Sequence, residues 1–342
     1  MMKFEDLKAL ALATAKADRQ APTAYSFNGQ NYSYDALNDT LRAELNELAG
    51  DFDSYRENAL TIYKLMQTVI DEVFPRKVMD RYSEFAEIKV GAQGQKPVFT
   101  TNNIGRNRAK KNFVTKVGLA GIYEVFKLDT QTVEVQMTAT GGAAQMGLEE
   151  FLDNRVDFSV LTEILMEGMD DDVYVEVAEA LKAMVANFGA YNKYSTNTFE
   201  EAKMDQLIAT ASAYGVPTVY CTFEFAATMV PSNGWVSDEM RNERWNKGYI
   251  ANYKGTRVVV LPQSVTDDNS TKIIDPSWAY IFPGDAKPVK IAFEGQTIVD
   301  EFKNYDRSRE IQAYKKFGVA TITSPNLFAY QNTSLVMSNA LN

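Results

Sequence analysis

The 342-residue sequence contains no histidine and a single cysteine, Cys221. Without an imidazole there is no His general base and no His zinc ligand, so Ser-His-Asp and Cys-His catalysis are excluded. A single cysteine cannot form an intrachain disulfide or a multi-cysteine metal cluster. Cys221 lies in the apolar run Val219–Phe223, which favours a small core residue over a nucleophile.

Nucleotide and hydrolase motifs are also missing. The sequence has no Gly-Lys dipeptide, and therefore no Walker A loop, and it has no helix-opening G-x-G-x-x-G and no G-x-S-x-G elbow. Asp170-Asp171-Asp172 is dense enough to suggest a hard cation. Adjacent helical positions point about 100° apart, so three consecutive carboxylates would not converge on one ion, and a solvated helix break or helix start is the favoured interpretation. We predict no catalytic residue, no cofactor and no metal.

Long apolar runs and an excess of basic residues are absent as well. The formal net charge is -10, which argues against an extended grip on duplex nucleic acid. No run approaches the ~18 apolar residues of a membrane span, and the start Met1–Asp6 lacks signal-peptide order. We expect synthesis in the cytoplasm and no membrane partner. Trp235, Trp245 and Trp278 are interpreted as loop packing or subunit contacts, with a sugar- or base-stacking platform as the alternative.

Apolar spacing predicts several amphipathic helices and an α/β stretch. The predicted helices are Lys3–Ala17, Tyr34–Ala49, Ser54–Val73 (ended by Pro75), Gly147–Phe188, Glu200–Tyr214 and Glu224–Met229. The predicted strands are Ile88–Val90, Val98–Thr100, Gly121–Leu128, Thr132–Thr140, Thr218–Cys221, Arg257–Leu261, Val289–Phe293, Thr297–Val299, Ile311–Ile322 and Leu327–Tyr330.

Charge is distributed unevenly between two segments. Residues 85–116 are predicted as an extended glycine-containing loop, in which seven basic residues against one acidic residue leave a net +6. The basic residues are Lys89, Lys96, Arg106, Arg108, Lys110, Lys111 and Lys116. Residues 141–190 have eleven acidic and two basic residues, a net -9. We predict that the loop reaches a neighbouring copy; the alternatives are a solvated loop or one folded back on its own acidic helix.

The predicted long helix supplies the acidic surface and a hinge. The acidic surface comprises Glu149, Glu150, Asp153, Asp157, Glu163 and Glu167. Glycine is costly in a helix interior and adjacent carboxylates repel, so we expect a kink or an interruption between Met166 and Val173. The hinge residues are Gly168, Asp170, Asp171 and Asp172.

The order of these elements resembles the tailed-bacteriophage major capsid proteins of the Hong Kong 97 type. The most telling local stretches are Ala211–Ala226, a helix, strand and helix, and the return run Phe302–Pro325. The resemblance implies an α+β fold with an N-terminal arm, an extended β-hairpin loop, a peripheral domain with a long spine helix, and an axial α/β domain. The implied divisions are 1–53 arm, 54–84 peripheral domain, 85–116 loop, 117–190 peripheral domain with spine helix, 191–288 axial domain, 289–325 return strands and 326–342 C-terminal strand and tail.

By this resemblance the chain is a non-catalytic subunit of the virion capsid. It is expected to self-assemble into hexamers and pentamers of an icosahedral shell around double-stranded DNA, which it contacts nonspecifically. Portal, scaffolding and decoration proteins are the other implied partners. The alternative is an encapsulin-type shell that encloses a cargo enzyme, and an isolated enzyme or sugar-binding protein is more remote.

Overall fold

The computed structural model describes residues 3–17, 25–27, 30–49, 51–102, 130–146, 158–231, 237–266, 268–284, 286–303 and 309–339. The helices in these ranges are α1 Phe4–Lys16, α2 Tyr34–Ala49, α3 Phe52–Tyr82, α4 Phe158–Ala186, α5 Glu201–Ser212, α6 Phe223–Thr228 and α7 Asp238–Lys247. The strands are β1 Tyr25–Phe27, β2 Gln30–Tyr32, β3 Ala86–Gly91, β4 Val98–Asn102, β5 Thr130–Glu134, β6 Thr138–Met146, β7 Lys193–Thr196, β8 Pro217–Thr222, β9 Asn252–Tyr253, β10 Thr256–Leu261, β11 Trp278–Pro283, β12 Val289–Lys303, β13 Arg309–Thr321 and β14 Phe328–Asn332.

The three N-terminal helices pack on one another. The predicted bounds of α2 are confirmed, and its leucine stripe is buried, as is the stripe of α1. Both helices contact α3, so the described part of the predicted N-terminal arm packs against a helix of its own chain. The N-terminus of α3 is capped by Asp51, whose carboxylate accepts a hydrogen bond from the Ser54 amide at 2.8 Å.

The predicted end of α3 at Pro75 is wrong. The helix continues through the proline to Tyr82, although a proline inside a helix removes one backbone hydrogen bond and costs about 3 kcal/mol. The side chains of Phe74, Val78 and Tyr82 are all at least 98% buried. Burial of three large side chains offsets that cost, at roughly 1.5–3 kcal/mol for each apolar side chain.

A four-stranded sheet lies beneath the long helices, in the order β3-β12-β13-β6. Strands β12 and β13 are antiparallel, whereas β3 runs parallel to β12. Helix α3 contacts β12, and α4 contacts β13 and β6. The two strands predicted over 289–299 form one strand, with an irregularity between Glu294 and Ile298. Gly295 adopts a φ of +70° there, a conformation that glycine tolerates without strain.

Strands β4 and β5 form an antiparallel pair that leads into and out of residues 103–129. The predicted loop boundary at residue 85 lies too early, since β3 belongs to the sheet through its register with β12. The predicted strand Thr132–Thr140 is two strands, β5 and β6, separated by residues 135–137. The predicted strand Gly121–Leu128 lies outside the described residues.

The second sheet has six strands in the order β7-β14-β11-β8-β10-β9. Strand β8 pairs in parallel with β10 and antiparallel with β11. The hydrophobic core beside this six-stranded sheet contains Cys221 and Tyr330, both fully buried. The predicted α+β class is confirmed. Within the described ranges, no helix combines the length and apolar character needed to cross a bilayer.

Candidate inter-subunit surfaces

Helix α4 has one buried and one exposed face. Its buried residues include Leu165, Met169, Val173, Val177 and Leu181. The exposed face is acidic, with two apolar side chains among the carboxylates. Its members are Ile164, Glu167, Asp171, Asp172, Val175, Glu179 and one exposed cation, Lys182. We call these residues the acidic face; a basic or mixed basic and apolar surface of another molecule would complement it.

The structure describes only part of the predicted acidic surface. Glu167 belongs to the acidic face, whereas Glu163 is half-buried between α4 and the N-terminal helices. Glu149, Glu150, Asp153 and Asp157 lie outside the described residues. Glu176 is not among the residues predicted for the acidic surface. It is partly buried, and this burial raises the pKa of its carboxyl group.

The expected interruption of the long helix at Gly168 is wrong, because α4 is continuous from Phe158 to Ala186. Asp170 is not solvated as expected: its carboxylate accepts a hydrogen bond from the Arg81 guanidinium of α3 at 2.8 Å. Burial raises the pKa of Asp170 despite the opposing Arg81 charge. Packing and the ion pair therefore hold the helix across Gly168. A kink without interruption stays a prediction.

The middle of α4 is also attached to the six-stranded sheet. The Tyr174 hydroxyl donates to the Pro262 carbonyl at 2.7 Å and accepts from the Ser264 amide at 3.0 Å. The Arg81 guanidinium lies over the Tyr174 ring, 5.0 Å from its centroid. Burial raises the pKa of Tyr174 to about 12, so the phenol stays protonated at neutral pH. Helix α4, which packs on the four-stranded sheet, is therefore hydrogen-bonded to the segment that follows β10 of the six-stranded sheet.

The structure describes two of the seven predicted loop cations. Lys89 contacts its own chain: its amine donates to the Val98 carbonyl at 3.0 Å and lies 4.7 Å from the Phe99 ring centroid. Lys96 is exposed. Arg106, Arg108, Lys110, Lys111 and Lys116 lie outside the described residues. Of the described pair, Lys96 is exposed, whereas Lys89 is partly exposed and is bound within its own chain.

The base of the β4–β5 pair is fixed to the sheet by packing. Phe99 and Val135 are buried against Ala292 of β12. A Cβ atom on Gly318 would lie 2.0 Å from the Gln136 carbonyl oxygen, so only glycine allows residues 135–137 to cross β13 this closely. The amine of Lys290 donates to Glu87 at 2.5 Å. These contacts depend on strand register, so the distribution of charged residues along the sequence does not predict them.

The remaining candidate residues show no arrangement for chemistry. Cys221 is fully buried, and burial raises the pKa of its thiol, which suppresses the thiolate. Trp278 is half-buried in β11, Trp245 is 89% exposed on α7, and Trp235 lies outside the described residues. No group of His, Cys, Asp or Glu in the described ranges could hold a metal ion.

Residues 6–331 match the model of a protein family described as "SPbeta prophage-derived putative capsid protein YonB". The chain belongs to this capsid protein family. The prediction of a phage capsid protein is therefore confirmed. No curated protein sequence matches the capsid protein significantly.

Several solved structures are similar to this capsid protein. One is the capsid of cyanophage P-SCSP1u, with 9% identity, coverage of 73% of this chain and 86% of that chain, and a TM-score of 0.47. Another is the head of Helicobacter pylori bacteriophage KHP40, with 11% identity, coverage of 73% and 91%, and a TM-score of 0.46. The SrpI encapsulin of Synechococcus elongatus has 10% identity, coverage of 80% and 91%, and a TM-score of 0.43.

Proposed function

We propose that this protein is the major capsid subunit of a tailed phage, which assembles as hexamers and pentamers into an icosahedral shell around double-stranded DNA. The family match over residues 6–331 is the observation that carries the proposal. The formal charge of -10 suits an inner wall that does not bind the genome tightly. The role needs no catalysis, and the absence of histidine agrees with this.

Assembly is proposed to use the charge asymmetry of the chain. The acidic face of α4 exposes Glu167, Asp171 and Asp172. The strand pair β4–β5 leads out of the sheet into the segment that contains Arg106 and Arg108. We propose that these loop cations contact the acidic face of a neighbouring copy, where opposite charges set the orientation. Portal, scaffolding and decoration proteins are proposed as further partners, and the host cytoplasm as the place of synthesis.

The direct test is negative-stain electron microscopy and velocity sedimentation of the purified full-length protein. Closed shells of uniform diameter are the expected result. A monomer near 38.3 kDa under all conditions contradicts the proposal. Particles isolated from the native host that hold an enzyme in place of DNA support the encapsulin alternative.

Charge reversal tests the proposed contact. The loop variant carries Glu at Arg106, Arg108, Lys110 and Lys111, and the helix variant carries Lys at Glu167, Asp171 and Asp172. Each variant alone should give a folded subunit that forms no closed shells, and combining the two should restore assembly. A control with Glu at four exposed basic residues elsewhere should assemble: Arg56, Arg76, Lys203 and Lys316. Normal shells from the loop variant would show that this contact is dispensable.

A further inference from the structure

Helix α7 is formed without burying any of its residues. Its stability comes from local interactions: the Ser237 hydroxyl accepts from the Met240 amide at 3.3 Å, and the Gly248 amide donates to the Arg244 carbonyl at 2.8 Å. Lys247 pairs with Glu243 at 3.0 Å. A helix that is capped at both ends but has no buried face contributes little to the core of its own chain.

The C-terminal end of α7 is nevertheless held firmly against the six-stranded domain. The Phe223 ring packs against Gly248 so closely that a Cβ atom added to this glycine would lie only 2.6 Å from the ring. The same ring meets Tyr249 edge-on, with centroids 6.1 Å apart, and Ile250 is buried. The helix therefore has a defined orientation, which a contact surface requires.

Charge is polarised along this exposed helix. Asp238 and Glu239 are exposed at its N-terminal end, and Arg244 and Lys247 at its C-terminal end. Asp238 pairs with Arg241 at 3.2 Å and Lys247 with Glu243 at 3.0 Å. Glu239 and Arg244 therefore carry the charges that are not already paired within the helix. Ten residues span about 15 Å, so the two charged ends are well separated. These signs also suit the helix dipole, but the dipole does not explain Trp245, which is 89% exposed beside the basic end.

We propose that α7 is a head-to-tail contact between copies of this chain. The basic end of one copy, with Trp245 as its apolar anchor, packs against the acidic end of α7 in the next copy. A polar element with unlike ends makes a heterologous contact, and repetition of that contact closes into a ring. Aromatic and arginine side chains are the usual anchors of such interfaces. The inference rests on the proposed function, since it assigns one contact within the proposed capsomers.

A charge-swap experiment tests the contact. Arg244→Glu with Lys247→Glu should block ring and shell formation, and so should Asp238→Lys with Glu239→Lys. The fourfold variant should assemble, because the two ends again carry opposite charges. If the double variants failed only because reversed charges oppose the dipole and weaken α7, the fourfold variant would be the worst. Loss of assembly in the fourfold variant overturns the inference, as does normal assembly of both double variants.

Two further variants define the geometry. Trp245→Ala should raise the critical concentration for assembly about tenfold or more, and Trp245→Phe should raise it less; an unchanged value in Trp245→Ala overturns the anchor role. Glu239→Cys with Asn246→Cys, placed in a Cys221→Ala background, should crosslink on oxidation into a ladder that extends to six copies. Dimers alone would show a two-fold contact and overturn the head-to-tail arrangement.

The two proposals fail separately. The matched control, Arg76→Glu with Lys316→Glu, reverses two exposed charges outside α7 and should assemble normally. If wild-type protein forms shells and the fourfold variant does not, only the α7 inference fails. If wild-type protein forms no shells, the proposed function fails.

Discussion

The ion pair between Asp71 of α3 and Lys315 of β13 lies against the irregular part of β12, which contains Thr297. The Lys315 amine donates to the Asp71 carboxylate at 2.5 Å. The same carboxylate oxygen accepts from the Thr297 amide at 2.8 Å and from its hydroxyl at 2.6 Å. The Lys315 side chain is 2% exposed, whereas that of Asp71 is 22% exposed. This difference in exposure makes the two possible single substitutions unequal.

Asp71→Asn should be the more damaging change. It leaves the Lys315 ammonium buried without a counter-charge, which typically costs about 3–5 kcal/mol. Lys315→Met removes the buried charge and keeps an unbranched side chain of similar length. Asp71 then retains both bonds from Thr297 and its access to water, so the expected loss is about 1–2 kcal/mol. The double variant should lose less than Asp71→Asn alone, since no buried charge remains.

Urea unfolding of the unassembled subunit at neutral pH, followed by far-ultraviolet circular dichroism, measures these free energies. Lys316→Met is the matched control, because Lys316 is exposed on the same strand, and it should change stability by less than about 0.5 kcal/mol. The reasoning is refuted if Lys315→Met costs as much as Asp71→Asn, or if the losses of the two single variants add in the double variant.

Four further predictions concern stability. Gly168→Ala should stabilise the unassembled subunit by about 0.5–1 kcal/mol in urea unfolding, because the added Cβ has no tertiary contact within 4 Å. Gly318→Ala should destabilise the subunit by about 1–3 kcal/mol, because the added Cβ would clash with the Gln136 carbonyl oxygen. The raised pKa of Asp170 means that the folded state binds this proton more tightly than the unfolded chain. The unfolding free energy of wild type relative to Asp170→Asn should therefore increase as the pH falls through the folded pKa towards 3.8, the ordinary pKa of an aspartate. A relative unfolding free energy that decreases over this pH range contradicts the prediction. Cys221→Ala should cost about 1 kcal/mol and still assemble; a Cys221→Ala variant that folds but forms no shells contradicts the assignment of Cys221 as a packed core residue.

Local sequence patterns are sufficient to predict a helix or strand that buries a single stripe of apolar side chains. The spacing of Leu37, Leu41, Leu45 and Leu48 predicts α2 with its observed bounds, because those side chains alone define the buried face. The run around Cys221 likewise predicts β8 to within a residue at each end.

Patterns fail where distant residues decide the outcome. Pro75 is a local stop signal, yet α3 continues because the residues after it are buried. The gap between the two predicted halves of β12 is the irregularity whose Thr297 amide is bound by Asp71. Strand β11 was not predicted, and its partners β8 and β14 lie about sixty residues before it and about fifty residues after it. Helix α7 was missed because it has no apolar stripe to detect.

Charged residues show the same limit in the candidate surfaces. Asp170, Asp171 and Asp172 are indistinguishable in a charge count, but only Asp170 faces α3 and is bound to Arg81. Lys89 counts towards the basic loop, although it binds within its own chain. Net segment charge therefore overstates what a neighbour can contact. Because an ion pair already formed within the subunit gains little from a partner, the exposed carboxylates of α4, rather than every carboxylate in the described part of this helix, set the electrostatic attraction that α4 offers for assembly.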